Sequence, residues 1–348
     1  MAQTLRGALD RLPGVDLTCI SAGPEDYRQY AAPCWARATN PWHAQFIARR
    51  KVRPVAGQPF DLLLVTSWEY AVAFRHLARQ LPAAVMLDSV PATINSQLRR
   101  RGLGGWRRWL SYHAHHRSFA MAAGAFDLFL PLGSDCAASL QRDYGVSPQR
   151  CFVTLAPQDL VSWAPSPRSY APPLRLLFVG NDFARKGGDF LLHLYAERLT
   201  PACTLTIASN DPWLSGRQLP PGVEWLRGRN REQLLEVYRS SDVFVFPTRQ
   251  DFVPQVLAEA LAAGLPCLAS DVGGIRDLVH EGQTGFLMPF DAPAERWAEL
   301  LHRLANQPAE LARLSASARQ FAEQRLGSDR FERLIGDVIH RLRAHPKK

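Results

Sequence analysis

DVFVFPTRQDFVPQVLAEALAAGLPCLAS (242–270) is the stretch whose reading decides the fold. An apolar run of strand length, DVFVFP, gives way to a polar loop and then to a helix. Pro254 suits the first helical turn, where its missing N–H costs nothing. Gly264 and Pro266 end the helix, and a second apolar run, PCLAS, follows. Two strands separated by a helix form a parallel crossover, so the sheet is covered by helices. Two carboxylates remain to be explained: Asp251 in the loop and Glu259 one turn inside the helix. An exposed helix does not need them there, and a core helix would avoid them.

The same alternation extends in both directions. Candidate strands on the N-terminal side are VDLTCI (15–20), DLLLVT (61–66), AAVML (83–87), FDLFLP (126–131) and CFVTL (151–155). Around the opening stretch lie LRLLFVG (174–180), CTLTIA (203–208), VEWL (223–226) and GFLM (285–288). Short apolar runs between amphipathic helices indicate parallel sheets buried on both faces. A proline-rich segment, 156–173, reads as the connection between two domains. The expected organisation is an N-terminal domain over 1–160 and a C-terminal domain over 173–326, both doubly wound α/β. A last amphipathic helix, 327–345, is free to pack on either. The chain opens with a helix that places Ala2, Leu5, Leu9 and Leu12 on one face. A central first strand is therefore expected to be missing from the N-terminal sheet, through an upstream start or a gap.

At 348 residues, 47% hydrophobic and 21% charged, the composition is that of a globular protein. A net charge of +9 favours anionic partners: nucleotide phosphates, an acidic membrane face or nucleic acid. No nucleic-acid module signature accompanies the charge, so nucleic acid is not expected. Six scattered cysteines with no CxxC pair suit a reducing compartment. No apolar run reaches the roughly 18–20 residues of a membrane span, and a cytoplasmic protein is expected.

Ligands of open α/β sheets bind beyond the carboxyl ends of the strands. Two loops there carry suitable chemistry. After LRLLFVG comes NDFARKGG (181–188), where Gly180 and the later glycines admit close approach. Arg185 and Lys186 add charge beside a helix start, itself an anion site. Read alone, this is equally a solvated basic turn. In the second loop, the amides of Val253, Gln255 and Val256, which flank Pro254, can receive a diphosphate. Glu259 can accept from ribose hydroxyls and Asp251 from sugar hydroxyls; the alternative is a local cap or salt bridge.

Residues 242–289 resemble the donor-binding half of the retaining glycosyltransferases of family 4, which have the GT-B fold of two Rossmann-like domains. That family carries two acidic residues eight apart, then EA-x-A-x-G-x-P and a GG turn. Here these are Asp251, Glu259 through Pro266, and Gly273-Gly274. The resemblance extends through FVGNDFARKGG (178–188), GRNREQLLEVYRSSDVFVFPT (228–248), SDCAASLQRDYGV (134–146) and DLVSWAP (159–165). It implies sugar transfer from a nucleotide-diphosphate sugar to a saccharide, lipid-linked or other acceptor, with retention. The donor is expected on the C-terminal domain and the acceptor on the N-terminal one. By position Glu259 holds the ribose, Asp251 the donor sugar, and Lys186 with Arg185 the leaving diphosphate. Gly180 and Asn181 border the donor, while Arg229 and Asn230 lie near the nucleobase. No cofactor and no obligatory metal are expected.

There are departures from the family pattern. Asn181 stands where an arginine is usual, Asp251 where glutamate is usual, and Asp88 near the place of a histidine; the N-terminal glycine-rich loop is absent. Asp88 is either a reactive group or a plain strand-end residue. A catalytically inactive nucleotide-sugar or carbohydrate binder is the alternative reading.

QLRRRGLGGWRRWLSYHAHHRSF (97–119) is basic and aromatic. It suits an anionic membrane face as a peripheral contact. The plainer expectation is a solvated helical pair with Trp106 and Trp109 packed inward. His113 and His116, one turn apart, have no companion carboxylate or cysteine for a metal site.

Overall fold

The computed structural model describes residues 2–19, 46–48, 50–51, 59–345 and 347. The chain divides into two units, Met1–Leu155 with Asp329–Lys348, and Ala156–Ser328.

The first unit contains α1 (Ala2–Asp10), β1 (Leu63–Thr66), α2 (Trp68–Gln80), β2 (Ala83–Leu87), α3 (Pro91–Arg100), α4 (Trp106–Ala123), β3 (Leu128–Pro131) and α5 (Ser134–Tyr144). Its described sheet is parallel, in the order β1-β2-β3, with Val65 opposite Val85 and Val85 opposite Phe129. Every side chain of β2 is buried, as a central parallel strand requires. Val65, Val85, Leu87, Phe119, Phe126 and Phe129 form the core.

Two expected strands differ. Residues 15–19 do not pair as a strand, and Ile20 lies outside the described residues. CFVTL makes a single bridge from Cys151 to Phe129. Phe152 and Thr154 still donate to the carbonyls of Phe129 and Pro131 at 2.8 and 2.9 Å, so the segment follows β3 without becoming a regular strand. The final helix, here Ser328–Ala344, belongs to this first unit. Arg330 donates to the Thr154 carbonyl at 3.5 Å and Arg343 to that of Gly14 at 3.0 Å.

The second unit carries β4 (Leu174–Val179), α6 (Gly188–Leu194), β5 (Cys203–Ala208), β6 (Val223–Leu226), α7 (Arg231–Arg239), β7 (Val243–Phe246), α8 (Gln255–Ala262), β8 (Cys267–Ser270) and β9 (Gly285–Met288). Its six strands are parallel, in the order β6-β5-β4-β7-β8-β9. Successive strands step one way from β4 to β6 and the other way from β7 to β9. The order thus reverses between β4 and β7, the switch point where such sheets bind ligands.

At the amino-terminal edge of these two strands, Asp242 is fully buried and takes both arms of Arg175, at 2.6 and 2.9 Å. It also accepts the Arg175 amide at 3.0 Å. A forked guanidinium–carboxylate pair of this kind fixes the register of β4 against β7. The proline-rich segment lies on the second unit. Arg168 donates to the carbonyls of Ser241 and Ala263, both at 2.8 Å, and Arg319 reaches those of Leu160 and Ala262. No described helix is long and apolar enough to cross a membrane.

Candidate functional site

The two loops singled out in the sequence leave the carboxyl ends of β4 and β7, side by side at the switch point. Their own hydrogen bonds hold them together. Arg249 donates its amide to the Arg185 carbonyl at 2.9 Å and its guanidinium to Asp189 at 2.6 Å. Arg185 donates to Asp182 at 2.6 Å and to the Gln250 carbonyl at 2.5 Å. Gly187 adopts φ +78, and a Cβ there would collide with the Pro247 carbonyl, so only glycine lets the loops approach. A Cβ on Gly180 would lie 2.6 Å from Cδ of Lys186, so this glycine makes room for the lysine to fold back over the strand end.

Within this frame Lys186 and Asp251 face one another without closing. Nζ of Lys186 stands 4.0 Å from Oδ2 of Asp251, and Arg185 stands 3.9 Å from the same oxygen. The side chains of Lys186 and Asp251 are 18% and 16% exposed. Phe246 lies under the ammonium, 5.4 Å from ring centre to Nζ. Burial pulls the lysine pKa below its ordinary value, and Asp251 offsets this only in part. Such a cation is under-solvated and gains by meeting an anion. Arg185, by contrast, is already engaged in holding the loops. Asp251 accepts the Phe252 amide at 3.0 Å through its other oxygen.

The helix beyond is α8. Pro254 is its cap residue, one position earlier than the first turn expected from the sequence. None of the amides of Val253, Gln255 and Val256 donates to a described residue, so the start of α8 presents N–H groups of the kind that bind anions. The rest of the helix is core: Leu257, Ala258, Ala260, Leu261 and Ala262 are buried. Glu259 is the exception. Its Oε2 accepts the Tyr238 hydroxyl at 3.0 Å, and burial raises its pKa against the pull of Tyr238, Arg231 and Lys186. Glu259 and Lys186 each feel the other's charge, which places them about one neighbourhood.

Not every expected residue joins them. Asn181 accepts the Asn210 amide at 2.9 Å, and Asn210 in turn accepts the Gly228 amide at 2.7 Å. Asn181 therefore ties the ends of β4, β5 and β6 together. Asn230 caps α7, taking the Gln233 amide at 2.9 Å, and Gln233 returns the bond at 3.1 Å. Its side-chain oxygen is committed to the helix. Arg229 stands exposed beside it, on the loop after β6, two strands from β4. Asp88 follows β2 in the first unit, exposed, and accepts the Ser89 hydroxyl at 2.9 Å.

Two contributors were not read from the sequence: Tyr238, which holds Glu259, and Arg249, which closes the loops. Tyr238 had a signal, a polar ring on the helix leading into a fully apolar strand. Arg249 had none, since its partners are remote in sequence. In the first unit the structure reverses the inward packing expected of Trp106 and Trp109, which are 71% and 63% exposed. His116 faces Tyr144 and Tyr112 at 3.2 and 3.4 Å, while His113 lies edge-on to Trp109.

Residues 173–307 match the family described as glycosyl transferases group 1. The chain is 32% identical over 208 residues to D-inositol 3-phosphate glycosyltransferase of Rhodococcus opacus, covering 53% of this chain and 46% of that protein. Its counterpart in Streptomyces bingchenggensis is 30% identical over 243 residues, covering 62% and 53%. The chain thus spans about half the length of these curated relatives. Among solved structures, sucrose-phosphate synthase from Thermosynechococcus elongatus superposes with a TM-score of 0.76 at 18% identity, over 90% of this chain and 82% of that one. HepE of Anabaena, solved with UDP-glucose, gives 0.66 at 16% identity, over 84% and 82%. At these identities the structures show a shared fold, GT-B, and the family match places residues 173–307, most of the second unit, among the glycosyl transferases group 1.

Proposed function

We propose that this protein transfers a sugar from a nucleotide-diphosphate sugar, held by its second unit, to a saccharide or lipid-linked acceptor. The observation that carries the proposal is the convergence at the β4–β7 switch point of an under-solvated ammonium, Lys186, with amides at the start of α8 that donate to no described residue. When the glycosidic bond to the donor breaks, negative charge grows on the departing diphosphate. Preset cations and amides stabilise such charge without reorganising. Lys186 and the start of α8 take that role, Glu259 accepts from the ribose hydroxyls, and Asp251 accepts from the sugar. Arg185 positions the loop. Arg229 borders the base, with Asn230 ordering the same turn.

The reaction retains anomeric configuration and proceeds without a cofactor or an obligatory divalent ion, since lysine and amides supply the positive potential. Asp88 serves the acceptor side from the first unit. The protein works in the cytoplasm, with peripheral contact to an anionic membrane face.

A thermal-shift panel of nucleotide-diphosphate sugars, with and without chelator, tests this reading, because a bound donor raises the melting temperature by mass action. One base and sugar should stand out, unaffected by chelator. Hydrolysis of that donor without acceptor then separates an enzyme from an inactive binder. A panel with no shift, or a shift only with added metal, would overturn the corresponding part.

A further inference from the structure

The first unit contains a cavity of about 710 Å³ that donor chemistry does not use. It opens between α3, α4 and the start of α2, and is lined by Glu69, Ile94, Leu98, Arg99, Arg108 and Trp109, among others. Its volume is that of a small-molecule site.

The rim of this cavity is unusual. Among the described residues eight large hydrophobic side chains are exposed, and four of them, Leu103, Trp106, Trp109 and Leu110, fall within 103–110. Six arginines and no acidic residue occupy 97–119. No described carboxylate pairs with Arg99, Arg100, Arg107 or Arg108. The cause lies in α4: only Phe119, Ala122 and Ala123 are buried, so the amino-terminal half of the helix stands away from the core. Tryptophans beside arginines are the composition of a surface that rests at a bilayer interface, with rings among the headgroups and cations against anionic phosphates.

The two features form one path. Exposure falls from Trp109 and Leu103 at the mouth to Trp68, which is buried beside Glu69 at the inner end. Ile94 and Leu98 supply an apolar wall, while Arg99 and Arg108 supply charge. Burial raises the pKa of Glu69 at the inner end.

We infer that this cavity and its tryptophan–arginine rim bind an anionic membrane lipid, seating the first unit on a negatively charged bilayer. The inference deepens the peripheral membrane contact proposed above and rests on that reading, independently of the donor site.

Co-sedimentation with phosphatidylcholine vesicles, with and without phosphatidylglycerol, tests the rim. The wild-type protein should pellet only with the anionic vesicles, and the Trp106→Ala/Trp109→Ala variant should bind at least about tenfold more weakly. Both tryptophans are exposed, so the variant should melt with the wild type. A soluble short-chain phosphatidylglycerol tests the cavity: it should raise the melting temperature where inorganic phosphate does not. Ser111→Trp, an exposed position lining the cavity, should abolish that shift. Equal binding to neutral vesicles, undiminished binding by the double variant, an equal shift with phosphate alone, or an unchanged shift in Ser111→Trp would overturn the inference. Nucleoside-diphosphate binding, measured on the same samples, should be the same in all variants. Its absence from the wild type would count against the donor site alone.

Discussion

Strands β4 and β7 bear a cation and a carboxylate at each end, and the two pairs are built differently. At the amino-terminal edge Arg175 and Asp242 close into a forked pair at 2.6 and 2.9 Å, with every oxygen of the buried acid satisfied. At the carboxyl edge Lys186 and Asp251 stop 4.0 Å apart, under partial burial that disfavours the ammonium. Closed pairs hold strands in register, whereas open pairs retain unspent electrostatic attraction. One end of the same strand pair maintains the fold, and the other is where the function proposed above seats the donor.

The largest effect should come from the open end. Lys186→Ala should lower turnover by about 10²–10³-fold, the scale of one lost charge stabiliser. Its melting temperature should match or exceed that of the wild type, because an under-solvated charge has been removed. Steady-state kinetics and a melt check both halves, and a variant that loses activity by unfolding would erase the contrast. Asp242→Ala should do the reverse. It should cost roughly 2–3 kcal/mol of stability, less than a fully buried pair because Arg175 is 41% exposed and can turn to water. Donor affinity per folded molecule should persist, as denaturant titration alongside binding can show. A smaller change should follow Tyr238→Phe, which removes one hydrogen bond to Glu259 worth about 1 kcal/mol. Donor affinity should fall on the order of fivefold, and an effect on turnover alone would place Tyr238 elsewhere in the mechanism.

Much of this was legible in the residues, for reasons that also explain what was not. The strands of the second unit are uninterrupted apolar runs because both faces are covered, and all of those read from the sequence are present. CFVTL has the same composition but only single-bridge pairing, a matter of neighbours that composition does not record. Lys186, Asp251 and Glu259 stood out as charges set among glycines or apolar residues near strand ends. Asn181, Asn230 and Arg185 looked equally poised for a ligand, yet their side chains are committed to loops and caps by bonds that arise only on folding. Trp106 and Trp109 share one helical face, and periodicity alone assigns such a face to a core. Here the core ends before it reaches them.

Calorimetric titration of the nucleoside diphosphate chosen by the donor panel into the wild type, Lys186→Ala and Glu259→Ala is the most direct test of the open end. The wild type should bind, and each variant should bind at least about tenfold more weakly while melting as a folded protein. Wild-type affinity in both variants would contradict a donor site at the junction of β4, β7 and α8.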